Sequence, residues 1–177
     1  MKRLGFISSN RVHLARQQIL LNELKNYCEV KIFNYSPKKN LPIADIAIDI
    51  TKEFNKWLNE NTLDALIVRG DRYEILGPTM VAFYKNIPII HIEGFDLSGT
   101  WDNQIRYALS YLSTTHFVTN VDSYQRALSM GFKNVWNFGS LDCEYALKCS
   151  QTLETASGRK QSYIVVLYHS VPNEDAT

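Results

Sequence analysis

The sequence lacks any apolar run approaching the roughly 20 residues of a membrane-spanning helix, so it offers no candidate span. Its amino terminus, MKRLGFISSNRVHLARQQ, carries basic residues but no continuous apolar core and does not read as a signal peptide. Charge of one sign is also lacking. The 19 Lys and Arg against 18 Asp and Glu leave a net charge of +1, which gives no reason to invoke nucleic acid or an anionic membrane as a partner. The three cysteines, Cys28, Cys143 and Cys149, are odd in number and have no paired metal-binding spacing, so a reduced, cytoplasmic interior is expected. After the first apolar run, ISSNRVHLA contains no GxGxxG fingerprint, which argues against a nicotinamide or flavin dinucleotide. No internal repeat is visible. What remains is 177 residues at 45% hydrophobic and 21% charged, a globular composition long enough for one ordinary domain, or for one domain and a fragment of another.

One stretch organises the rest, ALIVRGDRYEILGPTMVAFYKNIPIIHIEGFDLSGTWDNQIR, from Ala65 to Arg106. Two short apolar runs within and beside it, Leu63–Val68 and Ile87–Ile92, each break into charged residues near glycine: Gly70-Asp71-Arg72-Tyr73-Glu74 after the first, Glu93-Gly94 after the second. Such runs resemble buried parallel strands, and open α/β sheets place their ligands at the carboxyl ends of their strands.

Strand and helix signals alternate along the whole chain. Leu4–Ser8 and Glu29–Asn34 read as strands around a helix that begins near Val12, and Ser36–Asn40 as a loop. Ile43–Ile50 is expected to be a further strand, with Thr51 capping a helix that carries Phe54, Trp57 and Leu58. Leu63–Val68, Ile89–Ile92, Thr115–Thr119 and Val135–Phe138 follow as strands, separated by helices over Ile75–Lys85, Trp101–Leu112 and Val121–Met130. Pro78 suits a first helical turn better than a middle one, and Gly131 a helix stop. Leu141–Cys149 is expected to be a short helix, 150–162 a polar linker, and Tyr163–Tyr168 the strand that opens a second domain. The pattern is that of a doubly wound parallel α/β sheet, Rossmann-like, with right-handed crossovers.

Each charged constellation admits two readings. Asp71 and Arg72 could meet a bound sugar or phosphate, Arg through its planar fork, or Asp71 could merely cap the next helix. His91 and Glu93, two apart, would share one face of a regular strand and could hold each other at a proton-transferring position; alternatively His91 is buried against a backbone carbonyl. A glutamate closing so apolar a strand needs a partner. Arg11 sits where an anion would feel a helix N-terminus, or is a solvated turn residue. Asp102 and Arg106, four apart on a helix, default to a surface ion pair. His13 and His116 read as structural, Trp57, Trp101 and Trp136 as core, and Cys143 and Cys149 have no nearby histidine that would make either a nucleophile.

The combined pattern resembles the UDP-N-acetylglucosamine 2-epimerase family, in particular its hydrolysing branch in sialic and legionaminic acid pathways. The carrying residues are VRGDRYE at 68–74, AFYKNIPIIHIEG at 82–94, DNQIRYALSYLS at 102–113, THFVTN at 115–120, Met130-Gly131, FGS at 138–140 and YIVVLYH at 163–169. The resemblance implies a GT-B architecture, with this chain covering its amino-terminal Rossmann-like domain (1–149), a linker (150–162) and the first strand of the second domain (163–177). It implies elimination of UDP from UDP-N-acetylglucosamine through a 2-acetamidoglucal, then addition of water to give N-acetylmannosamine. It implies no cofactor and no required metal, with a divalent ion able to assist the diphosphate, a UDP-sugar as partner, and a homodimer as one admissible assembly. Asp71, Glu93 and Asp102 are the implied acidic catalytic residues, and Arg11, Arg72, His91, Asn103 and His169 the implied substrate contacts.

The chain also departs from the family pattern. Ser9-Asn10-Arg11-Val12-His13 stands where threonine, glycine and Arg-Ala-Glu are usual, Ser170 replaces a proline, and Asn103 occupies a position where an acid is expected. An amide cannot serve as a carboxylate base. The 177 residues alone are therefore expected to be inactive, with a non-catalytic nucleotide-sugar-binding or interaction module as the alternative and another GT-B enzyme, such as a glycosyltransferase, as a weaker one.

Overall fold

The computed structural model describes residues 1–9, 11–37, 41–157 and 166, with no account of the side chains of 11–13 and 151–157. Among these residues six parallel strands form one sheet: β1 (Arg3–Ser8), β2 (Glu29–Asn34), β3 (Ala65–Arg69), β4 (Ile89–Ile92), β5 (Thr115–Val118) and β6 (Val135–Asn137), in the order β2-β1-β3-β4-β5-β6. Six helices among the described residues connect and follow them: α1 (Arg11–Leu24), α2 (Ile43–Glu60), α3 (Tyr73–Tyr84), α4 (Asp102–Leu112), α5 (Val121–Ser129) and α6 (Leu141–Ser157). This is the doubly wound α/β architecture that the alternating pattern predicts. Among the described residues no helix is long and apolar enough to cross a membrane.

Strand alternation divides the apolar side chains between two faces. Phe6 and Ile67 pack with Leu21 and other leucines of α1 on one face. Ile7, Leu66, Val68 and Ile89 pack on the other with Ile50, Phe54 and Leu58 of α2, Ile75 and Ala82 of α3, and Leu109 of α4. Every residue of β3 is buried, as a central parallel strand requires. The expected helix stop at Gly131 is present, with Gly131 N–H donating to Leu128 and Phe132 N–H to Ala127.

Five local expectations fail for identifiable reasons. Ile43–Ile50 is not a strand but the first half of α2. Ile43, Ile46, Ile50, Phe54 and Leu58 recur at three- and four-residue steps, a helical stripe that a short window mistakes for imperfect alternation. Thr51 consequently lies inside that helix and caps nothing, its hydroxyl donating instead to the Ala47 carbonyl at 2.5 Å. Pro78 sits in the second turn of α3, whose start at Tyr73 precedes the expected one. The helix after β6 passes its expected end at Cys149 and continues to Ser157, so the first half of the expected linker is helical. Trp136 is 54% exposed on the edge strand, stacked on Phe138 with ring centroids 6.4 Å apart, whereas Trp57 does pack beside Phe33 and Phe54. The strand expected at Tyr163–Tyr168 and the site residue His169 lie outside the described residues.

The sheet core also holds two histidines in register, His91 of β4 and His116 of β5. His91 is fully buried; its Nε2 lies 2.8 Å from the Gly70 carbonyl and its Nδ1 3.0 Å from the Ser110 hydroxyl. A carbonyl only accepts, so Nε2 carries the proton and Nδ1 accepts from Ser110. Gly94 makes this approach feasible, because a Cβ there would stand 2.8 Å from both His91 Nδ1 and Ser110 Oγ. Burial lowers both imidazoles to about 4.

Two stability predictions follow from this core. Phe54→Ala should cost about 3–5 kcal/mol in chemical denaturation, since it empties the centre of the α2 stripe. The two histidines should stabilise the fold fully above their unfolded value of about 6.5, and that contribution should be lost as pH falls toward 4, on the order of 3 kcal/mol for each. Unfolding free energy measured against pH should therefore decline over that window, and His91→Gln should flatten the decline.

Candidate functional site

The sheet order reverses between β1 and β3, and ligands of doubly wound sheets bind outside the carboxyl ends of the strands at such a point. Here those ends carry Ser8 of β1 and Arg69 of β3, with β4 ending beside them before Glu93. Two charged clusters are built there.

The first is built on Arg69, the last residue of β3 and only 4% exposed. Its Nε and Nη2 donate to Glu93 Oε1 at 2.9 and 2.6 Å, its Nη1 to the Arg16 carbonyl at 2.6 Å, and its Nη2 lies 2.9 Å from Asp142 Oδ1. Arg16 of α1 joins the same pair of acids, meeting Glu93 Oε2 at 3.3 Å and Asp142 Oδ2 at 2.6 Å. Burial opposes the charge on Arg69, but Glu93 and then Asp142 outweigh it and keep the guanidinium firmly protonated. Glu93 occupies the left-handed region at φ +66°, sparse ground for a residue with a side chain. That backbone turn breaks the strand alternation. His91 and Glu93 therefore do not hold each other as a regular strand would have them do: His91 points to Gly70 and Ser110, and Glu93 to the arginines. His91, the implied substrate contact, lies wholly in the core.

The second cluster is built on Asp71 and Arg106. Gly70, at φ +77°, turns the chain out of β3, and the Gly70 carbonyl held by His91 fixes the residue before Asp71. Asp71 pairs with Arg106 Nη2 of α4. Arg106 is itself 7% exposed and also donates to Asn103 Oδ1 at 3.0 Å and to the Asp96 carbonyl. The expected surface pair between Asp102 and Arg106 is thus replaced by a buried reach from α4 to the β3 end, while Asp102 Oδ2 accepts from Thr100 at 2.9 Å. Burial is the main cause that raises the Asp71 carboxyl above its ordinary value, and the nearby Asp102 charge adds to it; Arg106 opposes them without prevailing.

Asn103 serves the architecture of the 96–103 loop. Its Oδ1 accepts from Ser98 N–H at 3.0 Å and Ser98 Oγ at 3.1 Å besides Arg106. Arg72 is also committed, its Nε donating to Glu74 Oε2 at 3.1 Å and its guanidinium lying 5.9 Å from the Tyr73 ring centroid. The Arg11 side chain lies outside the described residues. Among those residues, no three His, Cys, Asp or Glu side chains gather as a metal site would need.

Sequence reasoning missed Arg69, Arg16, Asp142 and Asp96. Asp96 Oδ1 accepts from Thr119 at 2.8 Å and Ser123 at 2.6 Å, tying the loop after β4 to α5. The rule that pointed to Glu93, that a charge closing an apolar strand needs a partner, applies equally to Arg69. Applied to both strands, it pairs them. Arg16 and Asp142 carried no comparable signal, since each sits on a helix among other polar residues.

Comparison with known proteins agrees with this architecture. The UDP-N-acetylglucosamine 2-epimerase family model matches residues 17–177. The polysialic acid biosynthesis protein P7 of Escherichia coli is 30% identical over 168 residues, 90% of this chain and 42% of that protein. The hydrolyzing UDP-N,N'-diacetylbacillosamine 2-epimerase of Legionella pneumophila is 40% identical over 80 residues, 45% of this chain and 21% of that enzyme. Two of the solved structures that share the fold hold UDP-GlcNAc. The Methanocaldococcus jannaschii UDP-GlcNAc 2-epimerase in complex with UDP-GlcNAc and UDP superposes at TM-score 0.77 with 15% identity, over 88% of this chain and 51% of that one. The Neisseria meningitidis enzyme bound to UDP-GlcNAc superposes at 0.70 with 22% identity, over 91% and 54%. The chain spans about half the length of these structures, and less of the curated relatives. With its family model matched over most of its length, the chain belongs to the UDP-N-acetylglucosamine 2-epimerase family.

Proposed function

We propose that the protein carrying this chain is a hydrolysing UDP-N-acetylglucosamine 2-epimerase, and that these residues supply the wall of the site that handles the sugar's protons. The observation that carries the reading is the placement of two acids, Asp71 and Glu93, just after adjacent strand ends beside the switch point, each tied to a buried arginine. The hydrolyzing relative named above supports the hydrolytic branch, and the polysialic acid relative supports an amino-sugar pathway.

In this reading a carboxylate removes the C2 proton as the C1–oxygen bond to UDP breaks, and the bonding pair leaves with the diphosphate. The 2-acetamidoglucal then takes hydroxide at C1 and a proton at C2 from the opposite side, so that UDP-N-acetylglucosamine and water become N-acetylmannosamine and UDP. Asp71 suits the proton acceptor, because a carboxyl raised by burial is a stronger base than an ordinary aspartate. Asp102 acts through it, as a like charge that sustains that basicity. Asn103 takes no proton-transfer role, its oxygen being engaged by Ser98 and Arg106.

Release of UDP and formation of N-acetylmannosamine from UDP-N-acetylglucosamine test the reading. In the protein carrying this chain, Asp71→Asn should lower kcat by about 10²–10⁴-fold. An unchanged rate in that variant would remove Asp71 from the reaction, and no UDP release from the unsubstituted protein would remove the function. The expected inactivity of the 177 residues alone belongs to the same proposal and is tested by the same assay.

A further inference from the structure

Asp142 stands in the first turn of α6, a helix with no other described side chain in the candidate site, yet it contacts both arginines that hold Glu93. The bonds are unequally shared. Arg16 gives Asp142 Oδ2 two contacts, at 2.6 Å from Nη2 and 3.1 Å from Nε, and gives Glu93 Oε2 one at 3.3 Å. Arg69 gives Glu93 Oε1 its bidentate pair and reaches Asp142 Oδ1 at 2.9 Å. Among the described residues, Glu93 thus takes both Arg69 donors on Oε1, while Oε2 keeps a single long contact. Asp142 itself is held below the ordinary carboxylate range: burial pushes it up, but Arg16 and then Arg69 outweigh that.

We propose that Asp142 is a positioning residue for Glu93. By drawing Arg16 and part of Arg69 onto itself, it balances two guanidiniums with two carboxylates and keeps Arg16 from closing on Glu93 Oε2. The inference rests on the proposed epimerase function only for its consequence, a Glu93 able to exchange a proton with the sugar. The charged groups facing Glu93 among the described residues come from three elements: Arg16 from α1, Arg69 from β3 and Asp142 from α6. From β5 only a backbone group meets it, the Phe117 carbonyl, which accepts from the Glu93 N–H at 2.9 Å.

Removing Asp142 leaves two cations on one carboxylate, which favours the ionised form of Glu93; removing Arg16 does the reverse. The test is a carboxyl-carbon NMR titration of the chain with labelled glutamate, the Glu93 signal assigned by its loss in Glu93→Gln. Asp142→Asn should move the Glu93 midpoint down by about one pH unit, Arg16→Gln should move it up, and Asp142→Glu should restore it. A midpoint unmoved in a folded Asp142→Asn chain would overturn the proposal, since a merely structural aspartate would lower the melting temperature and leave the titration alone. Should Asp142→Asn fail to fold, Arg16→Gln decides: a rise supports the balance and no change refutes it. The titration needs no turnover. A failed UDP-release assay with the predicted midpoints would therefore count against the enzyme and not against Asp142.

Discussion

The guanidinium of Arg69 ends a strand that is otherwise buried and apolar, and it is held there by the Glu93 carboxylate across the β3–β4 boundary. An unbalanced charge at that depth is costly, so each residue depends on the other, with Arg16 and Asp142 completing the balance. The consequences spread outward. Glu93 takes a left-handed backbone to reach Arg69, which ends β4 and turns the chain into the Gly94–Asp96 segment. That segment is then anchored to α4 and α5 through Arg106, Arg126 and the hydroxyls of Thr119 and Ser123. One buried ion pair thereby sets the path of the backbone around the site.

The sheet topology explains why the pair sits where chemistry can use it. Reversal between β1 and β3 opens a crevice at their carboxyl ends, and β4 is the next strand along. Asp71 and Glu93 follow neighbouring strands, but their environments differ. Glu93 is enclosed by two arginines that are shared with Asp142, whereas Asp71 has one arginine, partial burial and a nearby like charge. Two carboxylates with different surroundings are what a sequence of proton removal and proton return requires.

Much of this was legible in the sequence, and the parts that were not share a cause. The order of elements was visible because buried parallel strands leave apolar runs and helices leave three- and four-residue spacing. Ile43–Ile50 misled because its isoleucines fit both periods over eight residues, and only the continuation through Phe54 and Leu58 settles the helix. Asp71 and Glu93 were found because they end apolar runs. Their partners were not, since Arg16 and Asp142 are separated by 126 residues and meet only because α1 and α6 pack against each other. Local pattern also placed Asp102 with Arg106, whereas the long Arg106 side chain reaches across to Asp71 instead. The handedness of a single backbone residue, Glu93, separated the pairing that was expected from the one observed.

A double-mutant cycle on Arg69→Met and Glu93→Gln, read as unfolding free energy, tests the central role of this pair most directly. Each single variant should lose about 3–5 kcal/mol, because it strands the other residue's charge or hydrogen-bonding groups in the core. The double variant should lose less than the sum by about 2–3 kcal/mol. Losses that add to within about 0.5 kcal/mol would mean that the two residues are independent, and the site's framework would then have to rest on something other than this ion pair.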